Sequence, residues 1–299
     1  MSAITSGQFP KGSWSGLNAY FGSMYNQHPQ EWKDLFETYG SKKAREEDTE
    51  LPGFGLASVK AEGTGVSYDT HAEGWTKTYM HVVYALGFIV TREEMDDNLY
   101  NQVGSSRAQS LARSMAITKN IIAANVFNNG FNSSYTGGDS KELFATDHPT
   151  LDGTQSNELT TAADFSQSAL EDLLIQISKA TDTRGLKMAL QAKKLWYPVD
   201  LQFQVDRVLG SSQEPDSANN AINPMARQGL KRCMNHFLTD TDAWGVITDC
   251  PHGLKHFERR AIEFTRDNDH DTENKKFKST ERYDFSWTDW RSTYGTPGS

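Results

Sequence analysis

The spacing of apolar residues divides the 299-residue chain into stretches of different character. Leu17, Tyr20, Phe21 and Met24 recur at helical spacing. After Pro29 a second short helix carries Trp32, Leu35, Phe36 and Tyr39 on one face, with Gly40 as its stop. Ser41 to Glu50 has no apolar period and predicts a surface linker or mobile segment. From Pro52 to Val90 the pattern turns to strand. Ala57, Val59 and Ala61 alternate with polar neighbours, Gly63-Thr64-Gly65 supplies a turn, and Thr76 to Val90 is rich in β-branched and aromatic residues. No helix in this stretch backs the hairpin, and a lone two-stranded ribbon is marginal in water. It is expected to lean on another part of the protein or on a neighbouring chain.

The strongest helical signal runs from Thr91 to about Phe127. Thr91 and Glu94 form a T-x-x-E capping box, and Glu93, Glu94, Asp96 and Asp97 complement the positive end of the helix. Met95, Leu99 and Val103, then Leu111, Met115, Thr118, Ile122 and Val126, continue one stripe, with a bend expected at Gly104-Ser105-Ser106. At 1.5 Å per residue, a helix of about 35 residues would extend roughly 50 Å. Beyond a polar stretch, a second capped helix is expected near Ser168, with Glu171 at the box position and Leu170, Leu173, Leu174 and Ile177 on one face. Lys194-Leu195-Trp196-Tyr197 predicts a buried strand ended by Pro198, and Leu201, Val205, Val208 and Leu209 a helix stopped by Gly210. Ser211 to Asn223 is a turn-rich loop. Phe237-Leu238 and Ala243 to Thr248 are expected short strands, Phe257 to Thr265 and Phe277 to Trp287 longer ones. The class is α+β.

Charge and motifs then narrow the chemistry. Thirty Lys plus Arg against 39 Asp plus Glu leave a net charge of −9, which excludes a chain that coats nucleic acid by overall basicity. Cys233 and Cys250 are too few for a disulfide framework. The start lacks the blocks of a secretion signal, and Tyr79 to Val90 is too short to span a bilayer, so no membrane partner is expected. No G-x-S-x-G, phosphate-binding loop, dinucleotide loop, H-E-x-x-H or paired C-x-x-C occurs, so no catalytic residue and no cofactor is predicted. Cys250, His252, His256, Cys233 and His236 are zinc-ligand types, but Gly253 beside Pro251 argues against one helix carrying both His252 and His256. Asp267, Asp269 and Asp271 match the first three ligands of a calcium loop. Thr272 replaces its glycine and Lys278 its bidentate glutamate, which leaves the three aspartates a weak cation candidate in a turn. Lys275, Lys276, Lys278 and Arg282 interleave with Phe277 and Tyr283, a pattern that fits a solvated strand face better than a single-strand nucleic-acid surface.

Several segments together resemble the tailed-bacteriophage major capsid protein family. They are Leu143-Phe144-Ala145-Thr146-Asp147-His148-Pro149 followed by Gly153-Thr154-Gln155-Ser156-Asn157, and Arg184-Gly185-Leu186 through Lys194-Leu195-Trp196-Tyr197-Pro198. Asn223-Pro224, Leu238-Thr239-Asp240-Thr241-Asp242-Ala243-Trp244 and the ending from Arg266-Asp267 through Tyr283-Asp284-Phe285-Ser286-Trp287 to Arg291 complete the set. The resemblance covers about residue 50 to the end. It implies an N-terminal arm (1–50), an extended β-hairpin loop (51–92), a peripheral domain with a spine helix (93–165), an axial domain (166–245) and closing strands of the peripheral domain (246–299).

The function so implied is self-assembly, as hexamers and pentamers, into the icosahedral head around double-stranded DNA. The alternative is a same-fold cellular nanocompartment shell around an enzyme cargo. The implied partners are further copies of the chain, a separate scaffolding protein, a portal protein, a decoration or cement protein, and DNA packaged without sequence-specific binding. The implied location is the virion, after synthesis in the host cytoplasm. Trp75, Tyr79 and Tyr84 are the candidate inter-subunit anchors, because aromatics bury large area. Lys60 and Lys77 lie in the hairpin, and no covalent Lys–Asn cross-link is expected from either.

Overall fold

Two four-stranded sheets organise the chain. In the computed structural model, which describes residues 9–70, 73–96, 105–213 and 222–299, the order opens with helix α1 (Phe9–Gln27) and the single turn α2 (Trp32–Leu35). Strands β1 (Glu37–Gly40), β2 (Arg45–Thr49), β3 (Thr76–Met80) and β4 (Val82–Val90) follow. Then come helices α3 (Arg92–Asp96) and α4 (Ser105–Asn128) and the small hairpin of β5 (His148–Thr150) and β6 (Gly153–Gln155). Helix α5 (Gln167–Ser178), strand β7 (Ala192–Pro198), helix α6 (Gln202–Gly210) and strands β8 (Lys231–Asn235) and β9 (Trp244–Thr248) form the next section. Strands β10 (Leu254–Asn268), β11 (Lys275–Trp287) and β12 (Thr293–Thr296) close it.

The first sheet has the order β1-β10-β11-β4. Its inner face is set by the period-two pattern of β11, where Phe277, Ser279, Glu281, Tyr283 and Phe285 are buried while Lys276 and Lys278 stand in solvent. Helices α1 and α4 pack on that face. Phe21 stacks on Phe264 with ring centroids 4.6 Å apart, and α4 contributes Ala108, Leu111, Ala112, Met115 and Ala116. Five of the residues α4 buries, Ala108, Ala112, Ala116, Ala123 and Ala124, carry no bulk beyond a methyl, which lets the helix lie close to its neighbours.

A buried charge ties these layers together. Lys119 Nζ of α4 lies 3.2 Å from Glu281 Oε2 on β11 and 3.6 Å from Glu258 on β10. It also sits over the rings of Trp32 and Tyr283, at 4.9 and 4.7 Å. Tyr25 of α1 donates its hydroxyl to the same Glu281 oxygen at 3.1 Å. Burial raises the Glu281 carboxyl above its ordinary range, and Lys119 opposes that rise. His256, stacked on Phe285 in the same layer, is pushed down to about 3 by burial and then by Lys119 and Lys33, so its ring is neutral.

The second sheet, in the order β12-β9-β7-β8, buries Leu195 and Tyr197 of β7 against α5 and α6 and turns Trp196 to its other face. Trp196 bridges the two halves, within 4.8 Å of Phe127 and 5.7 Å of Phe144. Asn157 pins the same junction. Its amide donates to Leu143 O at 2.7 Å and Thr293 O at 3.0 Å, and its oxygen accepts from Ala145 N at 3.0 Å.

Several expectations change. Arg45–Thr49, expected in a linker, is strand β2, paired antiparallel with β3. Its partner lies further along the chain and four of its five residues are charged, so no local apolar period marks it. Residues 37–40 extend as β1, parallel to β10, rather than completing a helix through Tyr39. The neighbourhood of Ala57, Val59 and Ala61 forms no ladder. Phe237-Leu238 is a turn, begun by Phe237 N donating to Asn235 Oδ1 at 2.8 Å, and the strand lies just before it as β8. The cap of α5 is Ser166, which accepts from Ala169 N, rather than Ser168. The Thr91–Glu94 box forms in both directions, at 3.2 and 3.3 Å. Leu99, Val103 and the Gly104 bend lie outside the described residues, as does the middle of the 211–223 loop.

Candidate functional site

Between β2 and β3 the chain leaves the body in a long loop, residues 51–74. Among the described residues, its two legs run side by side without ladder hydrogen bonds. Gly55 N donates to Asp69 Oδ2 at 2.8 Å, Ser58 Oγ meets Ser67 Oγ at 2.8 Å, and Thr64 N donates to Ala61 O at 3.2 Å across the turn. Ser58–Ser67 and Ala61–Thr64 pair positions equidistant from the turn and Gly55–Asp69 is one residue off, so the legs keep near-hairpin register through side-chain contacts. Gly63 in that turn has φ +81°, a left-handed conformation that glycine adopts without strain. The legs bury little: Val59 is 100% exposed, Tyr68 95% and Leu56 85%, with Leu51 and Val66 also open.

The loop's base is built more firmly. Five β2–β3 pairs lead up to it, from Arg45↔Met80 to Thr49↔Thr76. Asp48 of β2 forms an ion pair with Lys255 of β10 and accepts from Thr288 Oγ1 at 2.5 Å. From the turn before β7, Arg184 reaches across to Asp69 Oδ2 at 2.6 Å and Thr70 O at 2.8 Å. This clasp ties the second leg of the loop to the turn before β7. The Gly55 amide first, then the Thr70 amide and Arg184, hold the Asp69 carboxyl below its ordinary range.

The three anchor candidates sit at or near this base, not on the exposed legs. Trp75 is partly buried, donates Nε1–H to Thr288 O at 3.0 Å and lies under the Arg291 guanidinium at 5.6 Å. Tyr79 is 0% exposed, its hydroxyl 2.7 Å from Thr288 Oγ1 and its ring edge-on to Phe257, so it presents no surface to a neighbour. Tyr84 stacks on Tyr283 at 4.7 Å and is half covered. The surface that is open belongs instead to Leu56, Val59, Val66 and Tyr68. The alternation at 57–61 pointed to Val59, while nothing in the residues around Tyr68 marked it out.

The metal-ligand candidates do not converge. Asp267 sits on a rung of β10 opposite Lys276, while Asp269 and Asp271 occupy the β10–β11 turn, where Asp269 binds Lys276 Nζ at 2.6 Å and accepts from Asp271 N at 3.3 Å. Cys233 donates to Lys231 O, Cys250 lies 3.6 Å from Asp289 Oδ2, His236 pairs with Glu31 and His252 with Lys255. Among the described residues, no three His, Cys, Asp or Glu side chains gather to hold a metal ion. Lys276 and Lys278 stand on the outward face of β11, with Val83 and Ile89 exposed on the strand beside it. Among the described residues, no helix is long and apolar enough to cross a membrane.

The chain thus has a sheet-backed body and a long loop with apolar residues open along it. A model of the phage capsid protein family matches residues 75–295. The chain belongs to that family, one of structural capsid proteins. It is similar in fold to a chain of the procapsid of bacteriophage JBD30, at 14% identity and a TM-score of 0.53, covering 98% of this chain and 76% of that one. A virus-like particle from Pyrococcus furiosus matches at 10% identity and TM-score 0.55, covering 95% and 99%. The capsid of a GTA particle matches at 13% identity and TM-score 0.53, covering 89% of each chain. No curated protein matches the sequence. The fold is that of tailed-phage major capsid proteins.

Proposed function

We propose that the chain is a major capsid protein whose copies assemble as hexamers and pentamers into an icosahedral head around double-stranded DNA. The observation that carries this is the 51–74 loop, which leaves Leu56, Val59, Val66 and Tyr68 open along two legs with no element of their own body behind them. Laid over a neighbouring subunit, the loop would find the backing its own body does not give it. In this arrangement residues 1–50 are the arm and 51–92 the extended loop. Residues 93–165 and 246–299 make the peripheral domain, and 166–245 the axial domain. Trp75 and Tyr84 join the contact from the loop's base, and Tyr79 supports them from within.

Such a subunit has no catalytic task and no resident cofactor or metal, and Asp267, Asp269 and Asp271 act as turn formers. The net charge of −9 keeps the chain from clinging to DNA that it encloses without reading its sequence. Its partners are further copies of itself, a separate scaffolding protein, a portal protein and a decoration or cement protein. It is made in the host cytoplasm and ends in the virion. Lys77 Nζ folds back onto Thr136 O at 2.8 Å and over the Trp287 ring, which supports shells without a covalent cross-link.

Electron microscopy of the purified chain tests this reading, with closed particles as the expected result. A folded monomer that forms no particle under any assembly condition overturns it. The contents of particles from the native source separate double-stranded DNA from an enzyme cargo, the second being the nanocompartment alternative. Denatured particles are expected to migrate as single chains.

A further inference from the structure

The neck of the 51–74 loop holds a carboxyl group with no part in sheet pairing. Glu50 follows β2; its amide donates to Trp75 O at 2.9 Å and its carbonyl accepts from Gly74 N at 2.9 Å. These two bonds close the neck. The side chain folds inward over Gly74, where an added methyl would collide with Oε2. There Glu50 lines a pocket of about 160 Å³ with Pro52, Glu73, Trp75, Leu151 and Thr183.

Two polar atoms in this pocket wall are left over. Glu50 Oε2 and Thr183 Oγ1 are both buried and neither makes a well-formed hydrogen bond, although the Thr183 hydroxyl lies close enough to the Glu50 carboxyl to favour its ionised form. Arg291, which faces Glu50 from the segment after β11, has its donors committed to Thr181 O, Gln155 Oε1 and Asp289 Oδ1. Asp289 faces Glu50 from that same segment and Asp182 from the turn before β7, while Glu73 belongs to the neck itself. Arg184, beside Thr183, carries its charge away to Asp69 and Thr70. An ionised Glu50 is therefore a half-buried anion near three other carboxylates, and the Arg291 charge and the Thr183 hydroxyl do not outweigh its burial. A neutral Glu50 has a proton to donate, and Thr183 Oγ1 is an unused acceptor on the same wall.

We propose that this neck is a proton-controlled hinge: protonated Glu50 keeps the 51–74 loop in the orientation seen here, and ionised Glu50 releases it. Burial, and next Asp289, push the Glu50 carboxyl up to about 7 from its ordinary 4.5. The closed neck thus holds the proton more tightly than a released one. Closure is favoured in full below 4.5, and that preference is lost as the pH rises to about 7.

Hydrogen–deuterium exchange of the full-length chain between pH 5 and 8 tests the hinge, with rates corrected for chemical exchange and one assembly state maintained throughout. The Glu50 and Gly74 amides are expected to exchange at least about 10-fold faster at pH 8 than at pH 5. Glu50→Gln, which fixes a neutral side chain, is expected to keep both slow at both pH values. Thr183→Val removes the acceptor and is expected to speed exchange at pH 5. A flat wild-type profile, or a Glu50→Gln profile that rises with pH as the wild type does, overturns the hinge. Should the variants fail to fold, the ¹³C titration of the Glu50 carboxyl in the wild-type chain decides, a midpoint near 7 supporting it and one near 4.5 overturning it. The readout is local to the neck, so its failure is distinct from a failure to form shells.

Discussion

The molecule contains two long antiparallel excursions that differ in what they do with their apolar residues. The β10–β11 hairpin pairs twelve residue positions from Leu254↔Trp287 to Asn268↔Lys275 and turns Phe264, Phe277 and Tyr283 onto α1 and α4. The 51–74 loop has side-chain contacts in place of a ladder and leaves Leu56, Val59 and Tyr68 in water. Both contain alternating apolar residues. The difference lies in what stands behind them: two helices in one case, nothing of the same chain in the other. Alternation in sequence therefore marks a face to be covered without saying which chain covers it.

Substitutions can break this contrast from either side. The largest effect is expected from Lys119→Met, which leaves Glu281 buried without its cation. Unfolding by denaturant should show a loss of about 3–5 kcal/mol, as for other broken buried pairs. Asn157→Ala removes the side chain that satisfies Leu143 O, Thr293 O and Ala145 N at the junction of the sheets. A loss of about 1–3 kcal/mol is expected in the same measurement, the cost of buried groups left unpaired. By contrast, Leu56→Asp with Val59→Asp should change the stability of the isolated subunit by no more than about 0.5 kcal/mol, because neither side chain is covered within it. Light scattering should show that this double variant no longer forms closed particles. The smallest effect on folding is expected from Arg184→Ala. Its thermal midpoint should match the wild type, while amides around Asp69 and Thr70 exchange faster as the clasp opens.

The elements visible in sequence are those whose partners lie close by or whose core contacts repeat. The Thr91–Glu94 box, the Leu170-Leu173-Ile177 face of α5, the buried Leu195-Trp196-Tyr197 run and the β11 alternation all state their surroundings locally. Strands β1, β2, β8 and β12 were not legible, because each is short and paired with residues remote in the chain. Arg45–Thr49 is the clearest case: Arg45, Glu46, Glu47 and Asp48 are all charged, and only the ladder with β3 makes them a strand. The loop was legible as an unsupported hairpin, and its open residues less so. Trp75 and Tyr79, singled out for their size, spend it on Thr288, Arg291 and Phe257 within the same chain. Large aromatic side chains report burial, and burial inside the subunit is the commoner kind.

Strand β1 and the Asp48–Lys255 pair also set a timetable for the newly made chain. Asp48 and Lys255 are 207 positions apart, and β1 adds its four rungs to the same distant strand. A ribosome extending the chain at about 5–20 residues per second would leave these early segments without their partners for roughly 10–40 s. Through that interval the four consecutive charges of Arg45–Asp48 keep β2 hydrated and ill suited to pairing with the wrong strand. The body of the subunit closes only when its last strands emerge, so premature contact between half-made chains has little finished surface to use.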